Sequence, residues 1–330
     1  MSLASMRDLL EQRQVVLYFF AVLLGAAAAL VMVGTASWDV VINPVLGLML
    51  FVTFLQIPLT ELGHAFRRVR FLAALLVTNF VAVPALVALL LPFAPADGMI
   101  RLGILMVLLC PCIDWVVTFA QMGRADAALL LASTPVLLVV QMAMLPLWLR
   151  LFLDDGVSRL VQVGPFLHAF LWLIVIPLCL AWFVQFGAQR SSVVEWGASV
   201  LGLLPVPVTA LVLFIVIAAM LPQLVHETSI ALHVVPIIAL HVVPIYAAFA
   251  VFAPFLGWGI SKLFRLEAPA GRALAFSGAT RNSLVVLPLA LAVSGAAPLL
   301  PAVIVTQTLV ELASALLFIR VMPRLGASRS

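Results

Sequence analysis

A group of reactive residue types lies in the middle of the apolar run 101–121: Cys110, Pro111, Cys112 and Asp114. A thiolate is a soft ligand, so Cys112 is a candidate ligand for a soft metal or metalloid. An ionisable group at the depth expected for Asp114 costs about 2.5 kcal/mol or more in lipid, which favours a function. Cys110 is a secondary candidate only if Cys-Pro-Cys is locally unwound. The alternative is that these thiols simply pack.

A second polar segment interrupts the apolar run 272–295 at its midpoint. An unwound helix exposes main-chain amides and carbonyls, and short polar side chains satisfy these groups while lining a hydrophilic cavity. Two interrupted apolar segments at corresponding places in two halves of a chain are typical of a transporter site. The predicted substrate-binding residues are Cys112, Asp114, Thr280, Arg281, Asn282 and Ser283.

Charged residues near the middle of a span must pair, face water or change protonation. Asp114 and Arg281 are expected partners if the two interrupted segments meet, either as a structural clamp or as part of the substrate site. Glu311 has no evident basic partner in its own span, and we predict that Glu311 and Gln307 handle a coupling ion. The alternative is a Glu311 that faces a lumen and bonds only Gln307. Asn79, in mid-span, is a secondary candidate for cavity lining or for a helix-to-helix hydrogen bond.

The composition indicates a polytopic membrane protein, because 65% of the 330 residues are hydrophobic and only 9% are charged. The formal charge of +4 is spread over short loops, so no nucleic-acid partner is predicted. Three cysteines inside apolar runs argue against a disulfide framework. No phosphate-cradling glycine loop or other cofactor motif is evident. An enzyme with Cys112 as nucleophile is disfavoured, because no histidine shares the interrupted spans to act as its base.

The elements that must position these residues are ten predicted transmembrane helices, read from apolar runs of about 20 residues. Their approximate bounds are 15–35, 40–58, 71–91, 101–121, 127–150, 160–186, 193–221, 231–261, 272–295 and 299–320. Thirteen of the seventeen basic residues fall on one side of this arrangement and three on the other, with Arg281 inside. The rule that positive loops stay inside then predicts both termini in the cytoplasm of an integral protein of the plasma (inner) membrane.

Ten spans divide into two halves of five, and an odd number per half predicts halves of opposite orientation, an inverted repeat. In each half the fourth span is the interrupted one, at Cys112 and at Thr280, 168 residues apart. The expected division is a cytoplasmic tail (1–14), a first repeat (15–150), an external loop (151–159), a second repeat (160–320) and a cytoplasmic tail (321–330).

The sequence resembles the arsenite-efflux permeases of the bile acid/sodium symporter superfamily over nearly its whole length. The resemblance rests on Asn79-Phe80 with Pro84, Cys112-Ile113, Ala279-Thr280-Arg281-Asn282 and Leu309-Val310-Glu311, each in the matching span. It implies a panel and a core domain, with discontinuous helices 4 and 9 that cross. It also implies that Cys112 contacts the metalloid and that Glu311 carries the exchanged proton. The chain departs from the usual arsenite-permease pattern at Asp114 and Arg281.

The sequence is compatible with two functions, and it favours the first. The first is proton-coupled efflux of arsenite or antimonite, with Cys112 as the metalloid ligand. The second is sodium-coupled uptake of an organic anion, in which Arg281 meets a carboxylate or sulfonate while Asp114, Gln307 and Glu311 help to hold sodium. The partners predicted from these two functions are a small-molecule or metalloid substrate, a proton or sodium ion as the coupling ion, and the lipid bilayer. The oligomeric state is not predicted.

Overall fold

The structure is a computed structural model that describes residues 3–56, 68–113, 115–153, 164, 168, 170–225, 236–293, 295 and 299–326. Regular secondary structure in these ranges is helical. In chain order the α-helices are α1 (Leu3–Val31), α2 (Asp39–Phe54), α3 (Val69–Val77), α4 (Val83–Leu90), α5 (Gly98–Leu108), α6 (Trp115–Met122), α7 (Ala127–Phe152), α8 (Ile176–Ala188), α9 (Ser192–Leu201), α10 (Pro205–Val225), α11 (Val243–Leu263), α12 (Ala268–Ala279), α13 (Ser283–Leu291) and α14 (Leu299–Val321).

Seven helical segments among the described residues are long and apolar enough to cross a membrane. They correspond to the first, second, third, fifth, seventh, eighth and tenth predicted spans. The fourth and ninth are missing from this set because the helix is interrupted near the middle of each. The sixth lies partly outside the described residues. The all-helical class is therefore confirmed, whereas the number of ten spans stays a prediction.

Three prolines inside the apolar runs directly follow π-helical turns. Pro84, Pro177 and Pro244 each stand at the second position of an α-helix that directly follows a five-residue π-helix. A proline lacks an N–H and its ring clashes with the carbonyl one turn earlier, so the wider π turn accommodates it.

One compact unit comprises Met1–Ile57, Val161–Val235 and Leu287–Ala302. In this unit α1 packs against α10 at Gly25, where an added Cβ would lie 2.6 Å from the carbonyl oxygen of Phe214. On another face of α1, Val16, Phe20 and Leu23 recur at helical spacing and are exposed. An exposed apolar stripe on a helix of spanning length is the surface expected to contact lipid.

The other compact unit comprises Pro58–Leu160, Pro236–Val286 and Val303–Ser330. In this unit α11 packs against α12, where a Cβ added to Gly257 would lie 2.7 Å from the carbonyl oxygen of Leu274 and 2.9 Å from Cα of Ala275. Small residues allow such close backbone approach in membrane helices. This unit contains α5, α6, α12 and the start of α13, and therefore both interruptions.

Replacement of Gly257 by Ala is expected to lower stability by about 1–3 kcal/mol, because the new methyl group has only backbone atoms to displace. Gly259 on the same helix has no atom within 4 Å of an added Cβ, so Gly259→Ala is the matched control. Thermal unfolding of both variants in detergent measures the difference. Equal unfolding temperatures for the two variants would contradict the packing described for α11 and α12.

Candidate functional site

The two interruptions meet through their main chains. The chain between α5 and α6 is paired with the chain between α12 and α13 by an antiparallel bridge of Pro111 with Arg281. The Cys112 N–H donates to the Thr280 carbonyl at 3.2 Å, and the Asn282 N–H donates to the Cys110 carbonyl at 2.9 Å. Pro111 and Arg281 form a non-hydrogen-bonded pair of this bridge, so the bridge does not require the N–H that Pro111 lacks. We call this pairing the crossing.

Arg281 is completely buried at the crossing and donates to four oxygen atoms. Its Nη2 lies 2.5 Å from the Ser277 carbonyl oxygen, 2.9 Å from that of Gly278 and 2.9 Å from Oδ1 of Asn79. Its Nη1 lies 3.3 Å from the carbonyl oxygen of Leu108. The three carbonyls belong to the last turns of α12 and α5, where no helical N–H remains to bond them. A cation is stabilised there by the negative end of each helix dipole.

The position of Asn79 follows from the π-helix Thr78–Ala82. Its Nδ2 donates to the Leu75 carbonyl at 3.1 Å and to Oγ of Ser277 at 2.9 Å, while its Oδ1 accepts from Arg281. The Asn79 amide thus connects a third element to the crossing. This contact agrees with the helix-to-helix hydrogen bond weighed for Asn79 from the sequence.

Glu311, on α14, accepts hydrogen bonds from both interrupted segments and from Gln307 of its own helix. The Arg281 main-chain N–H donates to Oε2 at 2.8 Å, and the indole N–H of Trp115 donates to Oε1 at 2.9 Å. Gln307 donates from Nε2 to Oε2 at the longer distance of 3.4 Å. Three N–H donors stabilise a carboxylate in its ionised form. The described part of the crossing therefore contains one basic and one acidic side chain, both buried.

The other short polar residues serve the local backbone. Asn282 accepts at Oδ1 from the Val285 N–H at 3.2 Å, as an N-cap residue of α13 does. The Thr280 hydroxyl donates to the Phe276 carbonyl at 2.9 Å. Buried polar atoms nevertheless lack a partner in the described part of the chain. They include Arg281 Nε, Asn282 Nδ2, Ser283 Oγ, Gln307 Oε1 and Thr308 Oγ1.

Cys110 and Cys112 are buried in the unwound segment, whereas Cys179 is exposed. The Cys-Pro-Cys segment is not helical. Sequence analysis required this local unwinding for both sulfur atoms to be presented at one site. Within the described ranges no group of three His, Cys, Asp or Glu residues could hold a metal ion. Asp114 lies outside the described residues, so its predicted partnership with Arg281 stays a prediction.

Sequence reasoning did not assign roles to three residues of the site. Trp115 bonds Glu311, Ser277 bonds Asn79 and Arg281, and the Phe249 ring lies 5.5 Å from the guanidinium carbon of Arg281. A signal existed for Trp115, because an indole N–H inside an apolar run needs an acceptor. The sequence contained no such signal for Phe249, since aromatic residues are common within membrane spans.

The crossing is closed in this structure. Arg281 and Cys112 are 0% exposed and Glu311 is 2% exposed. A ligand could therefore reach these side chains only after a conformational change.

Comparison with known proteins adds one finding. The family model described as the sodium bile acid symporter family matches residues 43–227, more than half of the chain. No curated protein matches the chain. The matched segment includes Asn79 and the interruption between α5 and α6.

We expect Glu311→Gln to destabilise the protein by about 1–3 kcal/mol although the shape is conserved. The reason is that Trp115 and Arg281 both present N–H donors to this side chain, and an amide must turn its own NH₂ toward one of them. Chemical or thermal unfolding in detergent measures the loss.

The matched control is Glu195→Gln, on the exposed surface of α9. Its effect should stay within about 0.5 kcal/mol. A Glu311→Gln variant as stable as Glu195→Gln would contradict the donor arrangement around Glu311.

Proposed function

Because the chain belongs to the sodium bile acid symporter family, we propose that this membrane transporter exports trivalent arsenic or antimony in exchange for protons. The observation that carries the proposal is the buried Cys112 in the unwound segment of the crossing. A thiol is the protein's natural ligand for a soft metalloid, and it is of little use to a hard cation or a carboxylate. A metalloid would be the cargo and not a resident cofactor.

The charges at the crossing support a neutral cargo. Arg281 and Glu311 supply one positive and one negative charge in the described part of the site. Arsenous acid is neutral at physiological pH, so its binding does not require a charged side chain as a partner. Bringing a further net charge to this depth would be costly.

Unused hydrogen-bonding groups support a cargo that carries hydroxyls. Asn282 Nδ2, Ser283 Oγ, Gln307 Oε1 and Arg281 Nε are buried without partners in the described structure. Arsenous acid offers three hydroxyl groups, each able to donate and accept. We therefore retain Cys112, Thr280, Arg281, Asn282 and Ser283 as the cargo site, with Asp114 and Cys110 as further candidates.

Proton exchange at Glu311 is supported by its neighbour one turn away. Gln307 Nε2 faces the carboxylate at 3.4 Å, and its Oε1 has no partner among the described residues. If Glu311 takes up a proton, rotation of the Gln307 amide brings Oε1 round to accept the new O–H. The pair therefore has an acceptable hydrogen bond in both protonation states.

Repeated local structure supports the ten-span inverted repeat. Both interruptions fall in apolar segments, and π-helices precede Val83-Pro84 and Val243-Pro244, in the third and eighth predicted spans. Inverted repeats place such paired irregularities at equivalent positions. We propose this arrangement with both termini in the cytoplasm and the protein in the plasma membrane.

Sodium-coupled uptake of an organic anion is the second candidate, and the name of the family favours it. Arg281 would then meet the anion. Its Nη1 and Nη2 groups, however, already donate to carbonyl and amide oxygens, and the residue is fully buried. Export of a metalloid does not require these hydrogen bonds of Arg281 to break.

Cys112→Ser is predicted to abolish arsenite resistance in a sensitive host, because a hydroxyl is a hard ligand that does not replace the thiolate. The readout is growth across an arsenite series together with the arsenic retained by the cells. Cys179→Ser, at an exposed position, is the control and should protect as wild type does. Full protection by Cys112→Ser at equal membrane abundance would refute the soft-ligand role.

Proton coupling predicts that a pH gradient imposed across reconstituted vesicles drives arsenite accumulation, and that a protonophore abolishes it. Glu311→Gln should lose this gradient dependence, since an amide cannot exchange a proton. Uptake of a bile-acid-like anion driven by sodium, with no response of arsenite to the pH gradient, would support the second candidate instead.

A further inference from the structure

The oxygen atoms around Arg281 form a cage of a kind that suits a small cation. Three are main-chain carbonyls, from Leu108, Ser277 and Gly278, and the fourth is Oδ1 of Asn79. All are uncharged acceptors, and the carbonyls come from the C-terminal turns of two interrupted helices. We call these four atoms the oxygen cage.

In transporters with broken helices, unwound carbonyls and half-helix C-termini coordinate the coupling sodium ion. The physical reason is that both helix dipoles present their negative ends and the carbonyls there have no helical donor. In this chain a guanidinium that is covalently tethered to the crossing fills the same kind of position. An arginine cannot be deprotonated in a protein, so its charge is permanent.

We infer that Arg281 serves as a built-in cation that occupies the oxygen cage in place of a metal ion, so that the transporter works independently of sodium. This inference rests on the proposed function only in taking the chain to be a transporter. It adds that the coupling ion is not sodium, whatever the cargo.

Two observations separate this role from anion binding. The Nη atoms of Arg281 are directed at the cage oxygens, and the side chain is buried beside the Phe249 ring. A sodium ion in the same cage would lie against the guanidinium, and the two like charges would repel strongly in a site of low dielectric constant. The cage therefore holds Arg281 or a free cation, but not both.

The test is a thermal-stability titration of the purified full-length protein in detergent, with sodium chloride against choline chloride at constant ionic strength. The wild type should unfold at the same temperature in both salts. Arg281→Gln should unfold at a lower temperature and regain stability, saturably, with sodium or with millimolar guanidinium, which refill the vacated cage. Arg281→Lys keeps a cation in place and should not respond to sodium.

Arg272→Gln, on α12, is the matched control. Arg272 also donates to main-chain carbonyls, of Arg124 and Leu325, but not in the oxygen cage. Its loss should lower the unfolding temperature without creating any response to sodium or guanidinium. If Arg281→Gln does not fold alone, recovery of monodisperse protein when either cation is present throughout purification is the expected result.

A saturable stabilisation of the wild type by sodium would overturn the inference, as would an Arg281→Gln variant that neither cation stabilises or recovers. Neither readout involves a cargo, so failure of arsenite transport leaves this test intact. Conversely, a sodium-insensitive wild type that exports no arsenite would refute the proposed cargo and leave the built-in cation supported.

Discussion

The whole arrangement depends on one constraint: where two helices are broken inside an apolar unit, their exposed main-chain groups must find partners within the protein. The crossing solves this first by pairing the two unwound segments with each other, through Cys112 with Thr280 and Asn282 with Cys110. Arg281 then bonds three further carbonyls at the ends of α5 and α12, those of Leu108, Ser277 and Gly278. Without these contacts both breaks would carry buried unsatisfied groups, and continuous helices would be the more stable alternative.

The same geometry separates the charges. Each interruption leaves a negative helix end, at α5 and α12, and a positive one, at α6 and α13. The guanidinium of Arg281 bonds the carbonyls of the negative ends, while Glu311 accepts from Trp115 and from the Arg281 main chain beside the positive ends. Each buried charge thus has a dipole of the right sign as well as hydrogen bonds. This double compensation explains how an arginine with no exposed surface is tolerated.

The sequence indicated the two interruptions but not the hydrogen bonds between them. Costly residue types in apolar runs indicated the interruptions at Cys112 and Thr280, and the structure brings these two segments together. What could not be predicted is that Arg281 would bond main-chain carbonyls, because every residue carries a carbonyl and the sequence does not show which ones lose their helical partner. The π-helix that positions Asn79 was also hidden, since a proline indicates a disturbed helix without specifying the kind of disturbance. Asp114 lies outside the described residues, and its role still rests on the sequence alone.

If a proton binds at Glu311 and the cargo at Cys112, few main-chain hydrogen bonds separate the two residues. Protonation weakens Glu311 as an acceptor for the Arg281 main-chain N–H. The next residue, Asn282, donates its own N–H to the carbonyl of Cys110, two residues before the proposed ligand. A shift of the backbone at 281–282 therefore reaches the Cys-Pro-Cys segment through a single main-chain hydrogen bond. Coupling by this route needs no extended network across the protein, because the titrating group and the proposed soft ligand both act on the same crossing.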